Sequence, residues 1–265
     1  MTVREPSLPH DLELSVIIPV YNEDKNIERT LKELKNYLTL PHEIIVVYDR
    51  DEDTTVDVVR KLKGTYGNVR LLKNDVARGP SGAIRSGFKA AQAPRICVMM
   101  GDLCDDVTQI QELIKRIPSQ ADIACPSRYC EGGQQVLNNV PRFKVWLPRT
   151  ASRLLKAFAH LPTLDATNSF KMYSASMIKK LNLTSTISFS VTLEIVVKAH
   201  CLGYRIVEIP TVWTDRQHGK SNFKMGRSIG AYLPWFMVAF LYGFLHWPRV
   251  WFRRSFCLSP EEQPQ

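Results

Sequence analysis

Short apolar runs rich in β-branched residues alternate with amphipathic helical patterns through the first half of the chain. These runs occupy residues 14–20, 43–48, 68–72, 96–100 and 121–125. Between them, apolar residues recur at helical spacing, as in Ile27, Leu31 and Leu34. Parallel strands need crossover connections, and right-handed crossovers place helices on both faces of a sheet. The alternation therefore predicts an α/β, Rossmann-like fold with a mostly parallel central sheet.

The fourth apolar run ends abruptly in the acid cluster G-D-L-C-D-D, residues 101–106. Ligands of open parallel sheets bind beyond the carboxyl ends of the strands, which is where Asp102 falls. Gly101 before it lets the backbone approach a ligand closely. Asp105 and Asp106 either add oxygen ligands or cap the helical pattern that follows. The sequence therefore predicts a metal or phosphate site at Asp102.

Two common nucleotide-binding loops are missing from the positions where such a fold would carry them. P-V-Y-N-E follows the first strand in place of G-x-G-x-x-G, which argues against a nicotinamide or flavin enzyme. No Gly-Lys-Ser/Thr follows the glycine-rich R-G-P-S-G, so that segment is not a Walker loop. The ligand expected at this sheet edge is therefore neither a dinucleotide nor a P-loop nucleotide.

Basic residues concentrate in the second half of a chain whose formal net charge is +9. Residues 141–164 hold five bases and no acid, and residues 205–254 hold eight bases against Glu208 and Asp215. This field suits the phosphates of nucleotides, nucleic acid or anionic lipid, although a solvated surface carries similar charge. No recognised RNA or DNA motif accompanies it, so nucleic acid is not an expected partner.

The cysteines and the N-terminus both favour a cytoplasmic protein. The six cysteines form no C-x-x-C pair, and several lie in apolar runs, which indicates reduced thiols. Residues 1–12, which we treat as an N-terminal extension, lack the apolar stretch of a signal peptide. Residues 255–265 are predicted to be a disordered tail.

Residues 227–254 form an apolar and basic segment that is predicted to be helical and to associate with a membrane. Residues 229–247 carry no formal charge and approach the roughly 20 residues needed for a span. Pro234 is expected to start or kink the helix, and bases flank the segment on both sides. We therefore expect the segment to lie on a membrane rather than cross it, with packing against the sheet as the alternative.

Five motifs follow one another along the chain. They are S-V-I-I-P-V-Y-N-E, an acidic turn after the second strand, the acid cluster after the fourth, S-R-Y-C-E-G-G and the late loop R-Q-H-G-K-S. Together they resemble glycosyltransferase family 2 with its GT-A fold, and most closely its dolichyl-phosphate and polyprenyl-phosphate sugar transferases. The resemblance assigns residues 13–226 to a glycosyltransferase domain.

The resemblance implies transfer of a sugar from a GDP- or UDP-sugar to a polyprenyl or dolichyl phosphate at the cytosolic membrane face, with inversion. Mg²⁺ or Mn²⁺ would assist from Asp102. Catalytic roles would fall to Asp102, Arg128 and Arg216. The donor would be bound by Pro19, Tyr21, Glu23, Val47, Asp49, Gly101 and Asp102. The acceptor would be bound by Arg128, Arg149, Ser152 and Arg153.

Two departures from the family pattern bear on the metal and the nucleotide. Met100 stands in place of the first acid of Asp-x-Asp, and Cys104 offers only a soft ligand, so metal binding is expected to be weaker or shared with Asp105. Tyr48 and Arg50 stand where the family is commonly acidic.

Three functions remain open from the sequence. A lipid phosphate needs no general base, whereas a hydroxyl acceptor needs one, for which Glu194 and Asp165 are the candidates. The alternatives to lipid-phosphate transfer are therefore a transferase with a hydroxyl or soluble acceptor and a nucleotide-binding protein without turnover.

Overall fold

The structure, a computed structural model, describes residues 11–137, 142–215, 225–245 and 256–257. Its strands are β1 (Leu14–Pro19), β2 (His42–Tyr48), β3 (Val69–Lys73), β4 (Arg95–Val98), β5 (Ile123–Ser127), β6 (Gln134–Val136), β7 (Lys171–Ser174), β8 (Ile206–Pro210) and β9 (Val212–Thr214). Its helices are α1 (Ile27–Tyr37), α2 (Thr54–Leu62), α3 (Pro80–Ala90), α4 (Ile110–Arg116), α5 (Arg142–Ala159), α6 (Ala175–Ile178), α7 (Ser190–Leu202) and α8 (Met225–Leu245). A 3₁₀ turn, Val107–Gln109, precedes α4.

Seven strands form one sheet in the order β3-β2-β1-β4-β7-β5-β8. Every neighbouring pair is parallel except the two pairs made by β7, which runs antiparallel to β4 and β5. The predicted α/β fold with a mostly parallel sheet is confirmed. Because β1, β2 and β4 are parallel, their carboxyl ends meet at one edge, and the loops that follow them form one surface.

Residues 204–214 form two strands that belong to two different sheets. β8 joins the main sheet beside β5, whereas β9 pairs with β6 in a separate parallel two-stranded ribbon. The chain passes from one sheet to the other at Thr211. There the backbone N–H bonds to the carbonyl of Ser127, and the chain leaves the main sheet.

Alternate residues of each central strand enter two cores. Val16 and Ile18 of β1 pack with α1, α2 and α4, whereas Ile17 packs on the side of α3 and α7. Burial on both faces explains why the strands are continuous apolar runs rather than alternating ones. Among the described residues, which include all six cysteines, no disulfide is formed.

Helix α8 begins at Met225 and continues through Pro234, so the alternative in which this residue starts the helix was wrong, whereas a kink at Pro234 stays a prediction. Proline removes the hydrogen bond to the carbonyl four residues earlier, here that of Gly230. Both residues are exposed, so water can hydrate the freed carbonyl. The helix begins at Met225, so the predicted boundary at residue 227 falls in its first turn. Among the described helices, none combines the length and apolarity needed to cross a membrane.

Most of the predicted extension and tail lies outside the described residues. Phe256 is placed: it is buried, and its ring lies 6.3 Å from that of Trp235 on α8. The chain just beyond residue 255 therefore returns to the domain surface.

Candidate active site

The loop after β4 brings two carboxylates together at the edge where the parallel strands end. Asp102 Oδ1 accepts from the backbone N–H of Cys104 at 3.2 Å, and Asp105 Oδ2 accepts from that of Met100 at 3.1 Å. Both side chains are buried. Burial and, second, the charge of Asp102 raise the pKa of Asp105 to about 7. A bound cation would therefore stabilise the ionised forms of these two carboxylates.

The helix-capping alternative holds for Asp106 and not for Asp105. Asp106 Oδ1 accepts from the backbone N–H of Thr108 at 3.0 Å and caps the 3₁₀ turn. Asp105 instead turns back towards Met100. That Asp105 shares a metal with Asp102 stays a prediction.

The acidic loop fits a divalent metal, but only with help from the substrate. No group of three or more metal-ligating side chains converges within the residues that the structure describes. The Cys104 thiol lies 3.9 Å from the carbonyl oxygen of Asp102, directed at the backbone. Mg²⁺ is commonly held by one or two carboxylates together with substrate phosphates. Asp102 and Asp105 suit that arrangement.

A cleft of about 560 Å³ opens beside the ends of β1 and β2. It is lined by Tyr21, Asn22, Asp49, Arg50, Asp51, Glu52, Asp53, Lys73 and Arg78. Two predicted donor residues, Tyr21 and Asp49, belong to this lining. Three cations and four acids face one another there, so the cleft suits a polar ligand that carries both donors and anionic groups.

Other predicted donor residues lie beside this cleft rather than on it. Pro19 and Val47 are buried within the sheet, where their side chains pack in the core. Glu23 accepts from the Asn26 side-chain amide at 2.8 Å and so fixes the entry to α1. Gly101 is needed for packing, since an added Cβ would lie 3.3 Å from Ile18 Cγ2. These four residues thus support the loops around the cleft, and their contact with the donor stays a prediction.

Asp49 ties the cleft to the glycine-rich loop before α3. Its Oδ2 accepts from the backbone N–H of Gly79 at 2.7 Å, and its Oδ1 accepts from Asn74 at 2.6 Å. Gly79 has φ +108°, a conformation that favours glycine. The contact brings Arg78 into the cleft. Arg78 and Lys73 were not among the predicted site residues, although Arg78 is the first residue of the R-G-P-S-G segment.

Arg128 is held in a buried ion pair with Asp165. Its Nε and Nη2 donate to the two carboxylate oxygens at 2.7 and 2.8 Å, and its backbone N–H donates to Oδ2 at 3.0 Å. Burial acts to lower the pKa of Arg128, but the charge of Asp165 and its hydrogen bonds to the guanidinium, together with smaller contributions from neighbouring acidic groups, raise this pKa. Asp165 therefore fixes an arginine. Its candidacy as a general base is corrected, because three N–H groups occupy its oxygens.

A second set of contacts fixes Asp165 itself. Thr163 Oγ1 accepts from the Asp165 backbone N–H at 3.1 Å and donates to Glu208 at 3.0 Å. Lys171, fully buried on β7, donates to the carbonyls of Asp165 and Asn168. Burial lowers the pKa of Lys171. Sequence reasoning missed Lys171, whose only signal was a lysine inside the strand pattern N-S-F-K-M-Y.

Three of the four predicted acceptor residues lie on one stretch of α5. Arg149 and Arg153 are exposed, whereas Ser152 is buried and its hydroxyl has no hydrogen-bond partner within the described residues. Burial raises the pKa of Tyr129, and the charges of Arg128 and Arg149 oppose that shift. Arg149 is therefore close enough to Tyr129, the residue after Arg128, for its charge to act on that side chain.

Two remaining predictions fall elsewhere. Arg216 lies outside the described residues, although Thr214 before it donates its backbone N–H to the carbonyl of Cys104 at 3.1 Å. Glu194 lies on α7, where Lys198 Nζ donates to it at 2.6 Å and the backbone N–H groups of Thr184 and Ser185 also bond to it. Its candidacy as a base is therefore corrected, because its carboxylate closes a buried structural network.

A glycosyl transferase family 2 profile matches residues 15–181 of the chain, which span both the acidic loop and Arg128. The chain belongs to glycosyltransferase family 2. The resemblance of its motifs to this family is thereby confirmed. At the sheet edge of this family 2 chain, Met100 stands where the resemblance implies the first acid of Asp-x-Asp.

Named relatives of this family 2 chain include dolichol-phosphate enzymes. It is 31% identical over 227 residues to a dolichol-phosphate mannosyltransferase of Pyrococcus furiosus, covering 84% of this chain and 62% of the relative. It is 27% identical over 239 residues to a mouse dolichyl-phosphate beta-glucosyltransferase, covering 82% and 74%. A third relative, the glycosyltransferase AglD of Haloferax volcanii, is 28% identical, covering 77% of this chain and 34% of its own length. The chain thus spans well under the full length of the first two archaeal relatives.

Solved structures show the same fold. Glucosyl-3-phosphoglycerate synthase from Mycobacterium tuberculosis, in complex with Mn²⁺, UDP and glucosyl-3-phosphoglycerate, superposes with a TM-score of 0.62 at 14% identity. The match covers 87% of this chain and 79% of that enzyme. A complex of the same enzyme with Mg²⁺ and UDP gives 0.63 at 15% identity. The predicted GT-A fold is confirmed.

Proposed function

We propose that the protein transfers a sugar from a GDP- or UDP-sugar to a polyprenyl or dolichyl phosphate at the cytosolic face of a membrane, with inversion at the anomeric carbon. One observation carries the proposal: the buried Asp102–Asp105 loop and the fixed Arg128 lie at the same edge of the sheet as an open polar cleft. The names of the archaeal and mouse relatives support a lipid phosphate as the acceptor.

Asp102 and Asp105 would hold Mg²⁺ or Mn²⁺ against the donor's diphosphate. When bound, the metal supplies electrostatic stabilisation of the departing nucleoside diphosphate. The raised pKa of Asp105 supports this role, because a cation would remove the repulsion between the two carboxylates. Metal-bound complexes of glucosyl-3-phosphoglycerate synthase, which has the same fold, agree with it.

Arg128 would contribute a fixed positive charge beside the reacting phosphates. A donor that is already oriented stabilises developing charge without reorganising during the reaction. Asp165 supplies that orientation by gripping two of the guanidinium nitrogens and the backbone N–H. Arg128 is therefore the proposed catalytic residue of the pair, and Asp165 is a positioning residue.

Both candidate bases, Asp165 and Glu194, are already hydrogen-bonded to other groups of the protein. This favours a phosphate acceptor over a hydroxyl. A hydroxyl must lose its proton to a base, whereas a phosphate oxygen is already anionic. Asp165 is saturated by Arg128, and Glu194 is held by Lys198 and two backbone N–H groups. Arg149, Arg153 and the hydroxyl of Ser152, which has no hydrogen-bond partner among the described residues, would receive the acceptor phosphate.

The lipid acceptor implies that the protein works at a membrane surface as a peripheral protein. The segment predicted to associate with a membrane contains α8, whose outer face is apolar and exposed. That exposure supports contact with lipid in preference to complete packing in the core.

The test is a transfer assay with the full chain, Mn²⁺ or Mg²⁺, a panel of GDP- and UDP-sugars and a polyprenyl phosphate, read by mass spectrometry. We expect a sugar-linked lipid from one donor class. The matched control is the unphosphorylated polyprenol, which should not react. Sugar transfer to the polyprenol would identify a hydroxyl acceptor, and nucleotide binding without any product would identify a protein without turnover. Either result would overturn the proposal.

A further inference from the structure

Helices α5 and α8 carry large apolar side chains on their outer surfaces. The α8 members recur every three or four residues, are 40–67% exposed, and are Ile229, Leu233, Met237, Leu241 and Phe244. The α5 members are Trp146, Leu147, Leu154 and Phe158. We call these nine residues the α5–α8 face. Exposed apolar patches of this extent on a folded domain mark interaction sites.

The two helices form one continuous surface rather than two separate patches. The ring of Phe158 lies 5.9 Å from that of Phe240 and 6.2 Å from that of Phe244, on which it stacks. Gly243 lets the backbones meet, because an added Cβ would lie 2.1 Å from the carbonyl oxygen of Phe158. The apolar side chains of α5 are therefore continuous with those of α8.

The inner side of α8 fixes its rotation and so determines which residues face outward. Ser228 and Ser188 share a hydrogen bond of 2.8 Å, and Trp235 Nε1 donates to Ser185 Oγ at 2.8 Å. Ala239 is fully buried against the core. The outward direction of the apolar stripe is therefore set by specific packing.

The sequences of both helices contain bases and no acid. The bases are Arg142, Lys144, Arg149, Arg153, Lys156 and Arg227. Arg149, Arg153 and Lys156 are exposed and follow helical spacing along the flank of α5. Apolar side chains with flanking bases and tryptophan are the composition of helices that lie in the interface of anionic membranes. Charge complementarity thus selects an anionic bilayer as the occupant.

We propose that the α5–α8 face docks on an anionic bilayer, with both helices in the headgroup region and α5 as much a part of the contact as α8. This deepens the proposed function, on which it rests for the presence of a lipid acceptor at that surface. Arg149 and Arg153 then lie at the level where the phosphate of a polyprenyl phosphate is found.

The test is cosedimentation of the full chain with vesicles of phosphatidylcholine alone or mixed with phosphatidylglycerol. We expect binding only to the mixed vesicles, weakened by salt. Leu154→Glu on α5, and separately the pair Leu233→Glu and Met237→Glu on α8, should each weaken binding by about tenfold or more, since each removes apolar burial. Tyr37→Glu is the matched control, because it adds the same charge at an exposed aromatic residue on α1 and should leave binding unchanged.

Several results would overturn the docking face. Unchanged vesicle binding by the folded Leu154→Glu variant would remove α5 from the contact, and equal binding to neutral vesicles would remove the charge requirement. Self-association without lipid that these variants abolish would identify a second copy as the occupant. Resistance of the bound protein to alkaline carbonate would indicate insertion across the bilayer. Transfer to a water-soluble short-chain isoprenyl phosphate is measured separately, so its absence beside normal vesicle binding would count against the proposed function alone.

Discussion

At the scale of single residues, we propose that Asp105 supplies the second carboxylate in place of the acid that the resemblance to the family implies at position 100. The Met100 thioether does not suit Mg²⁺, but the Met100 backbone N–H donates to the Asp105 carboxylate at 3.1 Å. The second carboxylate of the acidic loop thus reaches the site from three residues after Asp102. Substitution of these acids and the pH dependence of stability test whether they have the roles proposed for them.

Asp102→Asn should reduce transfer by about a hundredfold or more, roughly 3 kcal/mol of transition-state stabilisation, because it removes a carboxylate directed at the metal. The measurement is the initial rate at saturating metal and donor. Asp106→Asn is the matched control, since Asp106 caps the next turn and asparagine caps equally well. Near-normal turnover of the Asp102 variant would show that Asp102 is not the metal ligand.

The raised pKa of Asp105 should make stability depend on pH in the metal-free protein. The folded state keeps this proton to about pH 7, whereas the unfolded chain loses it near 3.8, so the free energy of unfolding should fall as pH rises between these values. Thermal melts of the wild type and of Asp105→Asn across that range measure the contribution. The variant should lack this part of the slope, and added Mn²⁺ should reduce it in the wild type. Identical slopes in both proteins would contradict the assignment.

Asp165→Asn should lower both stability and transfer, because one partner of a buried ion pair becomes neutral. Breaking such a pair typically costs about 3–5 kcal/mol, largely from the charge left behind. A chemical-denaturation curve read beside the transfer rate separates the two possible roles. A general base would give lost activity, normal stability and a missing acidic limb in the pH–rate profile, which is the outcome that would contradict a positioning role.

At the scale of elements, the crossing of α5 and α8 depends on one glycine. Gly243→Ala places a methyl group 2.1 Å from the Phe158 carbonyl oxygen, so the helices must separate, at a cost of about 1–3 kcal/mol. Gly230→Ala is the matched control on the same helix. Nothing lies within 4 Å of its added Cβ, and alanine should stabilise the helix by up to about 1 kcal/mol. Opposite shifts in melting temperature are expected, and equal shifts would argue against the close crossing.

Local periodicity predicted most elements, and it failed where a distant contact decided the outcome. The strands β1, β2, β4 and β5 were predictable because both of their faces are buried, which leaves continuous apolar runs. The placement of β8 and β9 in different sheets was not, because it depends on their pairing with β5 and β6, which lie far away in sequence. The ion pair between Arg128 and Asp165 was missed for the same reason, although each residue had been singled out. The motifs identified chemical types, and only the fold determined which groups already have partners.

At the scale of the whole molecule, nucleotide and metal should stabilise the fold together. A ligand at ~100 times its dissociation constant adds about 2.7 kcal/mol to stability. The nucleoside diphosphate of the preferred donor should therefore raise the melting temperature more with Mn²⁺ than without it. Asp102→Asn should lose the metal-dependent part of the shift. A shift indifferent to metal in the wild type would contradict a shared site.

The position of β7 in the sheet also governs how the chain can be completed during synthesis. One side of β4 pairs with β1, but its other side is covered only by β7, and β5 joins the sheet only beside β7 and β8. A nascent chain that ends before Lys171 therefore leaves an apolar strand edge open, and such edges recruit other chains. Both halves of the chain must therefore be synthesised before all seven strands of the sheet can pair. The acidic loop and the residues that surround Arg128 are thus expected to acquire their final order in a single late step.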